Sequence, residues 1–199
     1  MKLLIATKNP GKFTEISAMF LPLEARGVEV VSLQDIGIVE DCMEDGDTFE
    51  ENALKKARFY SRLSGLPTLS DDSGLLVEAL KNELGVKTRR WGAGEQASDE
   101  EWLNFFMKRM ELEENRLAEF VCVAAYVDGK SERTFMGETP GFITQSLEAP
   151  IKVGIPLSSV FKPEGTSRVY SELSFEEKAK LSHRGKAFTQ LLAFLEEIL

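Results

Sequence analysis

Three groups of residues in this 199-residue chain have the types and spacing that phosphate chemistry needs. The first is Thr7-Lys8-Asn9-Pro10-Gly11-Lys12, set between an apolar run and a helical pattern. A loop that opens a helix offers free backbone N–H groups and the positive end of the helix dipole. Gly11 would let the backbone approach an anion, and Lys8 and Lys12 add charge. The GxxxxGK[ST] spacing of a P-loop is absent, and a polar turn that merely caps a helix would read the same way. The second group is Asp71-Asp72-Ser73-Gly74, read here as a carboxylate pair at a turn between two apolar runs. Paired carboxylates can hold Mg²⁺ through one or two oxygens, or orient and deprotonate an attacking water. Adjacent aspartates are equally at home in a solvated turn. Glu44, in the acidic stretch 40–47, can add a metal carboxylate, in competition with Asp41, Asp45 and Asp47.

The third group is Lys178 with Ser182-His183-Arg184, where His183 is the only histidine of the chain. An adjacent His-Arg pair at a helix start can donate to phosphate or to a carbonyl on a base edge. The plainer alternative is a structural histidine behind an N-capping Ser182. Asn52 and Lys56, four residues apart on a predicted helix, can face the same site; otherwise Lys56 is an ordinary exposed helix lysine.

Elements must hold these groups in place. Residues 2–6 read as a strand that runs into the 7–12 loop and a helix marked by Phe13, Ile16 and Phe20. A second strand is expected near Val28–Leu33. Capping boxes at Thr48/Glu51, Ser98/Glu101 and Ser174/Glu177 open helices, the first running to about Ser64 and the second to about Leu112. Residues 82–97 read as an irregular loop. The run 117–127 is apolar on both faces and suits a buried central strand, with a turn at Asp128-Gly129 and a returning strand over 131–138. The stretch 139–167 shows no clear period. Phe188, Leu191, Leu192, Leu195 and Ile198 form one stripe on a C-terminal helix. The sum is a single α/β domain over 1–199 with a mixed sheet.

Composition narrows the chemistry. A net charge of −9 and a sequence pI of about 4.9 argue against a nucleic-acid or anionic-membrane partner. Two cysteines, Cys42 and Cys122, without CxxC or a histidine cluster, leave no disulfide framework and no basis for a zinc or iron–sulfur site. No apolar run approaches the length of a spanning helix, and the N-terminal run is too short for a signal peptide, so the cytoplasm is expected. There is no GxSxG and no GxGxxG. A carboxylate–magnesium site ringed by cations remains, which points to phosphoryl or nucleotidyl chemistry.

The blocks ATKNPGKFTEI (6–16), TFEENALKKA (48–57), LSDDSGLLVEAL (69–80) and EEKAKLSHRGKAF (176–188) occur in that order. Together they resemble the inosine triphosphate pyrophosphatase family, over about residues 2–190. The resemblance implies an elongated mixed β-sheet flanked by helices, related to the anticodon-binding-like and Maf-like folds, with two lobes and a central cleft. It implies hydrolysis of non-standard purine nucleoside triphosphates (ITP, dITP, XTP) to the monophosphate and pyrophosphate, Mg²⁺ as cofactor, and a homodimer. By the same resemblance Thr7 to Lys12 cradle the phosphates and Lys56 contacts them. Asp72 is catalytic base and metal ligand, Glu44 a further metal ligand, and Ser73 binds substrate. Lys178, His183 and Arg184 line the nucleotide, the last two near the 6-oxo edge of the base. Donors there favour a 6-oxo group over the amino group of adenine by about 1–3 kcal/mol.

One block departs from the family. Where GFGYDPxF is usual, this chain reads Gly154-Ile-Pro-Leu-Ser-Ser-Val-Phe161, without the stacking ring or the carboxylate. Trp91 is the candidate to supply the missing ring; the alternative is that it packs beneath its own loop. Two rival readings stay open: the same hydrolysis with a different base preference, and a nucleotide sensor that does not hydrolyse.

Overall fold

The helices that carry the site start where the side chains can satisfy their free N–H groups. Asn9 caps the helix α1 (Pro10–Phe20), with Pro10 at its first position, where its fixed φ suits the helix and no N–H is lost. All three predicted capping boxes are closed. They open α2 (Phe49–Ser64), α3 (Asp99–Met110) and α4 (Phe175–Leu181). Ser182 then caps α5 (His183–Ile198) by accepting from the Gly185 N–H. The computed structural model describes residues 1–81, 83–94 and 96–199.

Six strands among these residues form one mixed sheet: β1 (Lys2–Ile5), β2 (Glu29–Ser32), β3 (Thr68–Val77), β4 (Leu117–Val127), β5 (Glu132–Ile143) and β6 (Phe161–Pro163). Their order is β2-β1-β3-β4-β5-β6. β1 runs parallel to β2 and β3, and β3 through β6 are antiparallel.

The sheet corrects two sequence expectations. Asp71-Asp72-Ser73-Gly74 is not a turn. It lies inside the ten-residue strand β3, with Asp71 opposite Ala124, Asp72 opposite Val123 and Ser73 opposite Cys122. β4 offers ladder partners along the whole stretch, Lys12 and Arg184 pair with Asp71 and the Asn52 amide donates to Asp72, so the strand continues through them. The period of 139–167 is also there in part, because β5 runs on to Ile143. Its buried positions 137, 139, 141 and 143 are Gly, Thr, Gly and Ile, so burial alternates where hydropathy does not. Glycine is needed at 137, since a Cβ there would lie 2.1 Å from the His183 carbonyl oxygen at the start of α5. In the supposed irregular loop, Gly85–Arg90 forms a 3-10 turn; Asn82 and Glu95 of that stretch lie outside the described residues.

One face of the central strands carries two separate hydrophobic cores. Leu69, Cys122 and Ala124 pack with Ile16 and Phe20 of α1 and Phe188 and Leu191 of α5. Farther along, Leu75, Val77 and Ala118 pack with Trp102 and Phe106 of α3, Phe161 and Tyr170. Between them on the same face stand Asp71 and Ser73. The opposite face of β4 rests on α2, with Ala53 and Ala57 against Val123, Ala125 and Val127. The cleft opens where polar residues interrupt the apolar ones. No helix among the described residues is long and apolar enough to cross a membrane.

Candidate active site

A cavity of about 710 Å³ opens between the two cores. It brings together Thr7, Lys8, Asn9, Lys12, Glu44, Lys56, Asp72, Ser73, Lys178, His183 and Arg184, which come from five separated stretches of sequence. Pro10 and Gly11 do not line it. Pro10 starts α1, and a Cβ on Gly11 would lie 2.8 Å from the Val153 carbonyl oxygen. Glycine at 11 therefore lets a second piece of chain cross, which differs from the expected approach to an anion.

Strand alternation sends the two aspartates to opposite sides. Asp71 points toward α1 and α5, 1% exposed, with Lys12 Nζ 2.9 Å and Arg184 Nε 3.5 Å from its Oδ2. Burial would raise its pKa, but Lys12, Arg184 and Lys56 outweigh burial and hold the carboxyl well below the usual carboxylate range. Asp72 points toward α2. Its Oδ2 accepts from Asn52 Nδ2 at 3.0 Å and its Oδ1 from the Ser73 N–H at 2.9 Å. Here burial prevails over Lys56 and Lys12, and with Glu44 nearby it raises the pKa. A carboxylate with a raised pKa, held by two donors, is a better proton acceptor than its neighbour.

The cations are spread around this strand. Lys56 is buried on α2; its Nζ donates to the Asp71 carbonyl oxygen at 2.9 Å and pairs with Glu44 Oε1 at 2.8 Å. It is not an ordinary surface lysine. Lys178 donates to Glu15 Oε1 at 2.8 Å, and Arg184 donates to Glu15 Oε2 at 2.7 Å and to Ser73 Oγ at 3.1 Å. Glu15 was not among the sequence candidates, although its place one turn after Lys12 on α1 was a usable signal. Lys8 lies at the exposed rim, paired with Asp41.

The other end of the cavity is aromatic. His183 stacks on Phe120 of β4, with ring centroids 4.5 Å apart and planes at 12°, and Tyr170 lies 6.0 Å from the imidazole. Burial, reinforced by the Arg184 charge, holds the His183 pKa well below its ordinary value, so the ring is neutral at pH 7. Phe120 places an aromatic ring in the cavity lining, where residues 154–158 bring none. Sequence reading missed it because a phenylalanine in a β-rich run looks like core. Trp91 is not the replacement: it does not line the cavity. It packs against Phe105 at 5.3 Å and Trp102 at 6.3 Å, and its Nε1 donates to Glu83. Ile155, Pro156, Leu157 and Ser158 do line the cavity.

Among the described residues four buried side-chain atoms have no hydrogen-bond partner, Asp71 Oδ1, Tyr170 Oη, His183 Nδ1 and Arg184 Nε, and the last three belong to residues that line the cavity. Such atoms cost about 1–3 kcal/mol each, which a protein tolerates where a ligand completes them. Among the described residues no group of three or more His, Cys, Asp or Glu is arranged to hold a metal by itself. Lys56 pairs with Glu44, and the Glu44 charge acts on Asp72. Two carboxylates fit an ion such as Mg²⁺ that keeps water and takes its remaining ligands from substrate phosphates.

Fold and site together define an α/β protein with a cationic, carboxylate-bearing cleft between two cores. The sequence model of the Ham1 family matches residues 3–194, and the chain belongs to that family. A dITP/XTP pyrophosphatase of Caldanaerobacter subterraneus subsp. tengcongensis is 39% identical over 198 residues, covering 98% of this chain and 96% of that protein. A dITP/XTP pyrophosphatase of Bacillus licheniformis is 39% identical over 199 residues, covering 98% of each. The solved structure of a HAM1 protein from Coxiella burnetii superposes with a TM-score of 0.83 at 31% identity, covering 99% of both chains.

Proposed function

We propose that this chain hydrolyses non-standard purine nucleoside triphosphates, ITP, dITP and XTP, to the monophosphate and pyrophosphate. The observation that carries the reading is the division of labour on β3. Asp71 is neutralised by cations, whereas Asp72 keeps a raised pKa under the influence of Glu44 in the lining of a cationic cleft. Full-length relatives named dITP/XTP pyrophosphatases support it.

In this reading the triphosphate lies along Thr7–Lys12, at the positive end of α1. Lys12, Lys56 and Lys178 stabilise charge on the transferring group and on the leaving pyrophosphate. Asp72 orients a water toward the α-phosphorus and takes its proton as the P–O bond to pyrophosphate breaks. Glu44 and Asp72 would hold Mg²⁺, which supplies neutralisation of the triphosphate charge. Ser73 binds substrate, and His183 and Arg184 face the 6-oxo edge of a base lying near Phe120. The reading places the enzyme in the cytoplasm as a homodimer, the latter checked by sedimentation.

A second reading keeps the hydrolysis and changes the base. Ile155, Pro156 and Leu157 give the cavity an aliphatic wall, where the family pattern has a ring and a carboxylate. Pyrophosphate release with Mg²⁺ across ITP, dITP, XTP, ATP, GTP, UTP and dUTP decides. Preference for the first three supports the proposal, turnover of another nucleotide reassigns the base, and no turnover in any leaves a sensor.

A further inference from the structure

A chain of hydrogen bonds crosses the cleft. Asp99, in the first turn of α3, accepts the Gly154 N–H on its Oδ2 at 2.6 Å. The Gly154 carbonyl oxygen accepts from Asn9 Nδ2 at 2.7 Å. Asn9 Oδ1 in turn accepts the Lys12 N–H at 3.0 Å, and the Asn9 N–H donates to Thr7 Oγ1 at 3.2 Å. Both residues where the two backbones touch are glycines. A Cβ on Gly154, whose φ is +77°, would lie 2.4 Å from Asn9 Oδ1, and one on Gly11 would lie 2.8 Å from the Val153 carbonyl oxygen. One end of this chain is anchored in the core of Trp102 and Phe106, the other in the core of Ile16 and Phe20.

We propose that Asp99 is a positioning residue for the phosphate-binding loop, acting through Gly154 on Asn9. The inference rests on the reading of the cleft as a nucleoside-triphosphate site. Asp99 does not line the cavity, so it touches no substrate. Its side-chain oxygen accepts the Gly154 N–H directly, which ties the segment 153–155 to the first turn of α3. Gly154 held in this way fixes the Asn9 amide, and Asn9 fixes the turn that sets Lys8 and Lys12 at the cavity. Without Asp99 the segment 153–155 loses its tie to α3, and the Asn9 side chain is free to leave the cap. The cost falls on binding of the phosphates rather than on the chemical step.

The full chain with Mg²⁺ is assayed with ITP and melted in parallel. Asp99→Ala is expected to raise KM about tenfold with kcat within twofold, a change of about 1.4 kcal/mol. Asp99→Asn retains an acceptor for the Gly154 N–H and is expected to stay near the wild-type KM. Asn9→Ala is expected to raise KM in the same way, and the Asn9/Asp99 double variant to add nothing further. Glu100→Gln removes a neighbouring charge from the same helix turn without touching Gly154, and should leave KM unchanged. An unchanged KM in Asp99→Ala, a failure of Asp99→Asn to restore it, or a KM rise matched by Glu100→Gln overturns the proposal. If the wild type turns over no nucleotide, the functional reading fails by itself. The relay is then judged from the Kd of inorganic tripolyphosphate, expected to weaken about tenfold in Asp99→Ala; an unchanged Kd overturns it.

Discussion

The two faces of β3 treat adjacent carboxylates in opposite ways. On the face toward α1 and α5, Asp71 is buried among Lys12, Arg184 and the Ser73 hydroxyl, and its pKa is driven down. On the face toward α2, Asp72 meets Asn52 and the buried Lys56 with Glu44 alongside, and its pKa is driven up. Burial acts on both in the same direction; the number and placement of cations decide the sign. One aspartate is thereby a fixed counter-charge that holds the cleft together, and the other is free to accept a proton. Residue type alone cannot make that distinction, whereas a period of two along a strand makes it at once.

The comparison can be broken most severely at Asp72. Asp72→Asn is expected to fold normally and to lose about 10²–10⁴-fold in kcat for ITP, checked by pyrophosphate release and circular dichroism. Near-normal turnover would return Asp72 to a structural role. Asp71→Asn should show the reverse emphasis. It leaves Lys12 and Arg184 without their buried partner, and stability measured by urea unfolding is expected to fall by about 3 kcal/mol. A loss below that of Asp72→Asn would remove the asymmetry between the faces.

Smaller effects sharpen the picture. His183 has a folded pKa below its unfolded value of about 6.5, so below that pH the unfolded chain binds more protons. Stability should therefore fall as pH drops through about 6.5, by up to about 1.4 kcal/mol per unit. His183→Gln should flatten that slope in denaturant titrations at pH 7.5 and 5.5; an identical slope would mean that the imidazole is not buried neutral. Least of all, Lys8→Ala removes an exposed pair with Asp41 and should change stability by about 0.5 kcal/mol or less. A larger loss would show that the rim contributes as much as the buried pair.

Much of the fold was legible because local signals agreed with the tertiary structure. Three capping boxes open α2, α3 and α4, and the run 117–127 matches β4 from end to end. The sequence also supplied Asp72, Lys12, Lys56 and the Lys178–Arg184 group as neighbours, and the cavity does gather them. What stayed hidden depends on contacts between distant elements. DDSG reads as a turn until β4 is laid beside it. Gly137 and Gly141 hide the buried face of β5 because helix and strand backbones occupy the space a side chain would take. Phe120 and Trp91 look alike as aromatics in sequence, yet only the first faces the cavity.

The carboxylates sit in the middle of a ten-residue strand bonded on both sides near its start and to β4 throughout. The aliphatic wall, by contrast, belongs to a short 3-10 turn at Pro156–Ser159 and the loop before it. Hydrolysis and substrate choice therefore rest on parts of very different mechanical stiffness. A designer could exchange the wall to retune which base is accepted while the reacting carboxylate stays where the sheet holds it, and descent with modification has the same freedom.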